Sequence, residues 1–213
     1  MILTYIQALE VYKFIIKLFG TTRKKTYRYV ENTLEKYGNI VEYKYVHNNS
    51  KRLNQIKSNQ TIVLPKGIEL GATISQVRKK FSNAPHVKSF SSKGIKRHIL
   101  LYKKKYDHQK IKIELHFHKN KLFFAKYIFS TTTVEEREAA INHFRNKYDL
   151  HDLEFIGKNI IDASNNGVKI NNSLETTISY IQLDSPFFEL LQAKTAINQT
   201  NKQSFLSLNL STQ

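Results

Sequence analysis

Cysteine is absent from all 213 residues, which removes disulfides, thiolate metal sites, cysteine nucleophiles and any lipid anchor attached through sulfur. Nothing in the composition therefore calls for an oxidising compartment, and cytoplasmic residence is the expectation. Glycine and proline are scarce as well, at 7 and 3 residues. A chain so poor in both is neither a collagen-like repeat nor a flexible linker. With 40% hydrophobic and 12% aromatic residues it has the means to build a packed core. At this length one main core is the simplest arrangement.

Acidic residues are few: 17 Asp and Glu stand against 34 Lys and Arg, a formal charge of +17. Arginine is scarce within the basic set, at 7 residues against 27 lysines. The planar guanidinium fork grips phosphates and bases bidentately, whereas lysine supplies a mobile, well hydrated point charge, so this split suits a diffuse field rather than a rigid clamp. The field is also lopsided. Residues 1–132 carry 27 basic side chains against 7 acidic ones, and the remainder carries 7 against 10. Such a field draws nucleic acid, anionic lipid and acidic protein surfaces alike.

The usual signatures of catalysis are missing too. There is no glycine-rich phosphate loop, no His-Glu-x-x-His and no Gly-x-Ser-x-Gly. The histidines at 47, 86, 98, 108, 143 and 151 fall at no metal-ligand or triad spacing. Glu135 and Glu136 sit in the first turn of a predicted helix, where the dipole favours negative charge without any chemistry. The expectation is a non-enzymatic protein with no catalytic residues and no cofactor.

Along the chain, Ile2 to Phe19 is mostly apolar, with Thr4, Gln7, Glu10, Lys13 and Lys17 recurring every three or four residues. That spacing makes an amphipathic helix rather than a secretory signal or a membrane span. Its expected place is packed on the domain, with docking on a membrane surface through residues 2–19 as the alternative. A second helix is predicted over Thr22 to Tyr37, ending at Gly38. Asn39 to Val46 alternates and reads as a strand, and the polar run to Gln60 reads as a loop and domain boundary. Thr61 to Leu64 reads as a short strand stopped by Pro65.

Two helices carry start signals with a mechanism. Thr73 with Gln76, and Thr133 with Glu136, can each form a capping box, in which the threonine accepts from the third residue's amide and that residue reaches back. The first helix should present Ile74, Val77 and Phe81 on one face; the second, running to Tyr148, should turn Val134, Ile141, Phe144 and Tyr148 inward. A last short helix is expected over Phe187 to Lys194 behind Ser185 and Pro186, and 196–213 reads as a polar tail.

Between the capped helices lie three predicted strands at 97–105, 110–118 and 121–129, joined by a short loop and the tight Lys119-Asn120 turn. Hairpin geometry places residue 105 opposite 110 and 118 opposite 121. Leu100, Tyr102, Ile111, Ile113, Leu115, Phe117, Leu122, Phe124 and Ile128 then share one face, the predicted core. Arg97, Ile99, Leu101, Lys103, Lys105, Lys110, Lys112, Glu114, His116, His118, Lys121, Phe123, Ala125, Tyr127 and Phe129 share the other. After the second capped helix, strands are expected at 153–156, 159–162, 168–171 and 177–183, with Asn165-Asn166-Gly167 as a turn. The fold class is thus α+β: antiparallel meander sheets with helices on one side, in two helix-plus-meander units. The expected organisation is an N-terminal helical segment with one strand (1–50), a core over 61–195 with halves at 61–130 and 131–195, and the tail.

The run Leu64-Pro65-Lys66-Gly67-Ile68-Glu69-Leu70-Gly71-Ala72-Thr73-Ile74-Ser75-Gln76-Val77-Arg78-Lys79-Lys80-Phe81, with the strands behind it, resembles the opening of SmpA/OmlA-type outer-membrane-assembly lipoproteins. The resemblance spans about sixty residues and rests on a Leu-Gly-x-Thr/Ser turn before a short helix. Tandem copies would look like the arrangement of β-lactamase inhibitor protein. The resemblance implies a fold used for gripping other proteins, with no catalytic residues to carry over, and this chain has no cysteine to lipidate.

The polar sheet face is the sharpest candidate site. Cations that track phosphates beside rings that stack bases would hold single-stranded nucleic acid, and Lys103, Lys105, Lys110 and Lys112 beside Phe123, Tyr127 and Phe129 offer both, with Arg97 and His116 on the same face. The same residues are what a sheet carries under a covering helix with lysines at the rim, and the helix over 2–19 is the obvious cover. Glu114, His116 and His118 lie on one face of one strand at a spacing that two histidines and a carboxylate could use for zinc or iron, although alternating polar residues are ordinary solvent-side filling. The leading expectation is a protein-interaction module, of inhibitor, immunity or assembly-factor type, docking on an acidic partner. Nucleic-acid binding, as in a ribonucleoprotein component, is the rival.

Overall fold

The computed structural model describes residues 28–52, 55–82, 84, 86–92, 94–106, 109–130, 133–150, 154–172 and 175–194. The predicted helix over 2–19 and the tail at 196–213 lie outside the described residues. The chain divides into two compact units, 1–39 and 40–213. In the first, residues 28–38 are helical (α1), in keeping with the predicted end at Gly38.

The second unit begins with a helix where alternation predicts a strand. The stretch predicted as a strand at 39–46 is helix α2, Val41–Arg52. Ile40, just ahead of it, and Tyr43, His47 and Ser50 within it are buried, while Val41 and Tyr45 are exposed. That spacing of three, four and three is helical, so burial follows a 3.6-residue period and not the alternation of Val41, Tyr43 and Tyr45. The unit boundary accordingly falls at residue 39, ahead of α2, and not in the polar run at 47–60.

From there the order is β1 (Gln55–Lys57), a 3-10 turn at Pro65–Gly67, α3 (Ile74–Phe81), β2 (His86–Ser92), β3 (Ile95–Tyr106), β4 (Gln109–His118), β5 (Lys121–Ser130), α4 (Val134–Lys147), β6 (Asn159–Ile161), β7 (Asn166–Asn172) and β8 (Thr176–Gln182), and then α5, residues 186–194. The strands form one eight-stranded sheet in the order β1-β6-β7-β8-β5-β4-β3-β2. Every neighbouring pair is antiparallel except β1 with β6. The two helix-plus-meander units therefore share a sheet, joined where β5 pairs with β8. Of the expected strands at 61–64 and 153–156, residues 61–64 and 154–156 form none; Leu64 makes only an isolated bridge to Ile68.

Both capping boxes are present. Gln76 N donates to Thr73 Oγ1 at 3.3 Å while Thr73 N donates to Gln76 Oε1 at 2.7 Å; the matching distances at Thr133 and Glu136 are 3.2 and 2.9 Å. Val77 and Phe81 of α3, with Ile141 and Phe144 of α4 and Tyr148 just beyond it, press on one sheet face and build the main core with Leu100, Tyr102, Ile113, Leu115 and Phe117. Val134, predicted inward, is exposed, since it stands in the first turn of α4. Among the described residues no helix is long and apolar enough to cross a membrane.

The β3–β4 ladder has the predicted register, Lys105 opposite Lys110 and Arg97 opposite His118. The β4–β5 hairpin also starts as predicted, with His118 opposite Lys121 and Phe117 opposite Leu122 across a Lys119-Asn120 turn whose two residues both have positive φ. Then a bulge intervenes, and His116 faces Phe124 instead of Phe123. One extra residue reverses the facing of every side chain beyond it. Ala125, Tyr127 and Phe129 consequently belong with the core and not with the polar face, while Phe124 and Ile128, predicted in the core, lie on the polar side with Lys126.

Candidate interaction surface

The sheet face opposite the main core divides into a roofed half and an open half. The roof is α2 and α5. Ser185 opens α5 by accepting from Phe187 N at 3.4 Å, with Pro186 in the first turn. Phe187 then stacks on Phe123 with ring centroids 4.1 Å apart, and Phe188 stacks on His47 of α2 at 4.2 Å. His47 Nε2 donates to the Leu183 carbonyl at 3.1 Å. The two roofing helices are thus tied to each other and to the end of β8.

Beneath the roof lies a buried polar layer. Arg97, Glu114, His116 and His118 are all within 7% of full burial. Tyr43, on α2, points its hydroxyl at Nδ1 of His116, 2.8 Å away. Burial pushes the phenol far above its ordinary range, with Arg97 opposing and Glu114 and Glu42 assisting, so the hydroxyl keeps its proton and is the donor. His116 is then the Nε2–H tautomer, with that nitrogen 3.9 Å from Glu114 Oε2. Burial also lowers the His116 pKa; Glu114 pulls it back up, and Arg97 and Lys126 push it further down. The imidazole is neutral in the folded protein at pH 7. The Arg97 guanidinium lies 5.3 Å from the Tyr43 ring centroid and 5.7 Å from that of Phe90, where the ring faces replace part of its lost hydration. Burial lowers the Arg97 pKa, with Tyr43 opposing.

Tyrosine, histidine and carboxylate in series could relay a proton, but here they are sealed, with Tyr43 and His116 at 0% exposure. Their visible role is to fasten α2 to β4. Nor do the candidate metal ligands converge: His118 turns away to donate Nδ1–H to the Lys96 carbonyl at 2.8 Å. Among the described residues no cluster of three metal-ligating side chains forms.

The open half begins beyond Glu114. Here Lys103 stands directly opposite Lys112, and Lys105 opposite Lys110. Lys103, Lys105 and Lys110 are exposed and Lys112 is half-buried. Partial burial lowers the Lys103 pKa, and Lys112 and Lys110 lower it further. Glu175, between β7 and β8, comes to 3.5 Å of Lys112.

The nine candidate contact residues therefore part company. Lys103, Lys105, Lys110 and Lys112 form one surface. Arg97, His116 and Phe123 are under the roof, and Tyr127 and Phe129 are on the core side, so a ligand meeting the folded face would not touch them. The residues missed in the sequence are Tyr43, Phe187 and Phe188, because a roof made by α2 was hidden by its reading as a strand. No protein-family model, curated protein or solved structure matches the chain.

Proposed function

We propose that this chain is a non-enzymatic protein-binding module that receives an acidic partner on the open half of its sheet face, through Lys103, Lys105, Lys110 and Lys112. The observation that carries the reading is the pair of like-charge oppositions in the β3–β4 ladder, Lys103 with Lys112 and Lys105 with Lys110. Like charges directly across an antiparallel pair work against the fold. Glu175 already answers Lys112, so the opposition of Lys105 to Lys110 is the cost that an acidic partner relieves, and each carboxylate it brings gains from several ammonium groups at once. Lysine in place of arginine suits such a partner, because mobile point charges adapt to an irregular protein surface. The field of the whole chain would raise the rate of encounter.

Protein is favoured over single-stranded nucleic acid by the fate of the rings. Base stacking needs aromatic faces beside the cations, and Phe123 is taken by Phe187 while Tyr127 and Phe129 are committed to the core. The resemblance of Leu64 to Phe81 to assembly-lipoprotein openings, and of paired helix-plus-meander units to an inhibitor arrangement, points the same way. A pull-down from the native host, with the wild-type chain and with Lys103→Glu/Lys105→Glu, each with and without nuclease, tests the reading. The expected catch survives nuclease and is lost with the charge reversal. A catch that disappears with nuclease transfers the function to nucleic-acid binding, and one that ignores the charge reversal removes this surface from the account.

A further inference from the structure

At the other end of β4, a cavity of about 530 Å³ opens between the Gly67–Ala72 segment and α3, lined also by Gln76, Lys79, Lys80 and Lys121. Lys110 and His118 are eight rises apart along β4, about 27 Å at the rise of an antiparallel strand, so this cavity is separate from the lysine pairs. Its walls are built by local constraint. Segment 71–73 runs alongside the start of β5, with Gly71 N donating to the Leu122 carbonyl at 2.7 Å and Leu122 N to the Ala72 carbonyl at 2.9 Å. Gly71 has φ +84° and open space where a Cβ would be, so bare backbone faces the cavity there.

At one edge of the cavity two exposed lysines clasp each other's backbone. Lys66 Nζ donates to the Lys80 carbonyl at 3.0 Å, and Lys80 Nζ donates to the carbonyls of Lys66 at 3.0 Å and Gly67 at 2.7 Å. An ammonium has three protons, so Lys80 is held in place with one left to give. At the rim, the side chains of Lys79 and Lys121 have no hydrogen-bond or ion-pair partner among the described residues. Glu69 is the one carboxylate among the lining residues.

We propose that this cavity binds a free, small oxyanion ligand of the phosphate-ester class. Lys79 and Lys121 close on the anionic group from the rim, the spare Lys80 proton meets it beside the Gly67 turn, and Ile68, Leu70 and Ala72 offer an apolar wall to the ester's organic part. Lysines bind phosphate as point charges. The anchored Lys80 gives the site a fixed reference that a diffuse surface field lacks.

Inorganic pyrophosphate, titrated calorimetrically into the full chain at 0.15 M salt, is the probe, because at that ionic strength charges farther apart than about 8 Å are largely screened. The wild type is expected to bind one pyrophosphate saturably, Lys79→Gln/Lys121→Gln to bind at least tenfold more weakly, and Lys105→Gln/Lys110→Gln to bind as the wild type does. Because both rim lysines are exposed and unpartnered, their replacement leaves the fold intact, which circular dichroism would confirm. The absence of saturable binding to the wild type, or equal weakening by the two double variants, would overturn the proposal. Either result leaves the acidic-partner reading to its own test.

Discussion

Lys126 stands directly opposite Glu114 across the β4–β5 ladder, and it does so because Phe123 is an extra residue in β5. Without the bulge, strict alternation from Leu122 would turn Phe124, Lys126 and Ile128 toward the main core, placing an ammonium opposite Ile113. With it, Lys126 moves to the polar side beside the one buried carboxylate of the middle strand. Phe124 meanwhile packs on His116 at 5.0 Å and Phe123 enters the roof cluster. Burying an unpaired charge costs far more than a bulge, and that difference sets the register.

Phe123 should accordingly be among the most sensitive positions in the chain. It is fully buried and in ring contact with Tyr43, Phe187 and Phe188. Phe123→Ala is expected to cost about 3–5 kcal/mol, read from the midpoint of urea unfolding. A cost under about 1 kcal/mol would mean that α2 and α5 do not roof this face.

The bulge also marks how far the sequence could be read. The two capped helices, the Lys119-Asn120 turn and the β3–β4 register rest on local signals, namely a threonine three residues before Gln76 or Glu136 and an alternation that only one pairing satisfies. β5 offered no such alternation, because Phe123, Phe124, Tyr127, Ile128 and Phe129 are apolar in both parities, and both faces of that strand are covered. Lys126 was the clue: the predicted pairing left it on the core side. α2 departs from its local pattern for a related reason. Val41, Tyr43 and Tyr45 alternate like a strand, and only the burial of Ile40, Tyr43, His47 and Ser50 discloses the helix. The lysine oppositions were legible from the loop length alone, whereas the cavity depends on how segment 71–73 pairs with β5, which no local pattern encodes.

The bond between Tyr43 and His116 fastens the roof, and its removal should be felt without any change of shape. Tyr43→Phe deletes the donor and leaves Nδ1 of His116 without it in a buried layer. The expected loss is about 1–3 kcal/mol, with the far-ultraviolet spectrum unchanged. A variant as stable as the wild type would show that water or another group serves that nitrogen.

Stability should also fall in mild acid, by a route that the histidines define. Burial lowers the pKa values of His116 and His47 below the ordinary 6.5 in the folded chain. Above about 6.5 both states are neutral at these sites and the histidines are silent. As the pH falls below it, the unfolded chain takes up protons that the folded chain resists, so folding stability declines until the folded pKa values are reached. Urea unfolding at pH 7.5 and 5.5 should show this decline, and His116→Gln should reduce it. An unchanged pH dependence in that variant would assign the effect elsewhere.

The most direct test of the central claim is the Lys105→Glu variant, measured twice. Replacing one lysine of an opposed pair by a carboxylate turns a repulsion into an attraction, and unfolding should show a gain of about 0.2–1 kcal/mol, while affinity for the captured acidic partner falls by at least tenfold. A fold made more stable and a grip made weaker by the same substitution is what the account predicts. A variant that binds as tightly as the wild type would contradict it, whatever its stability.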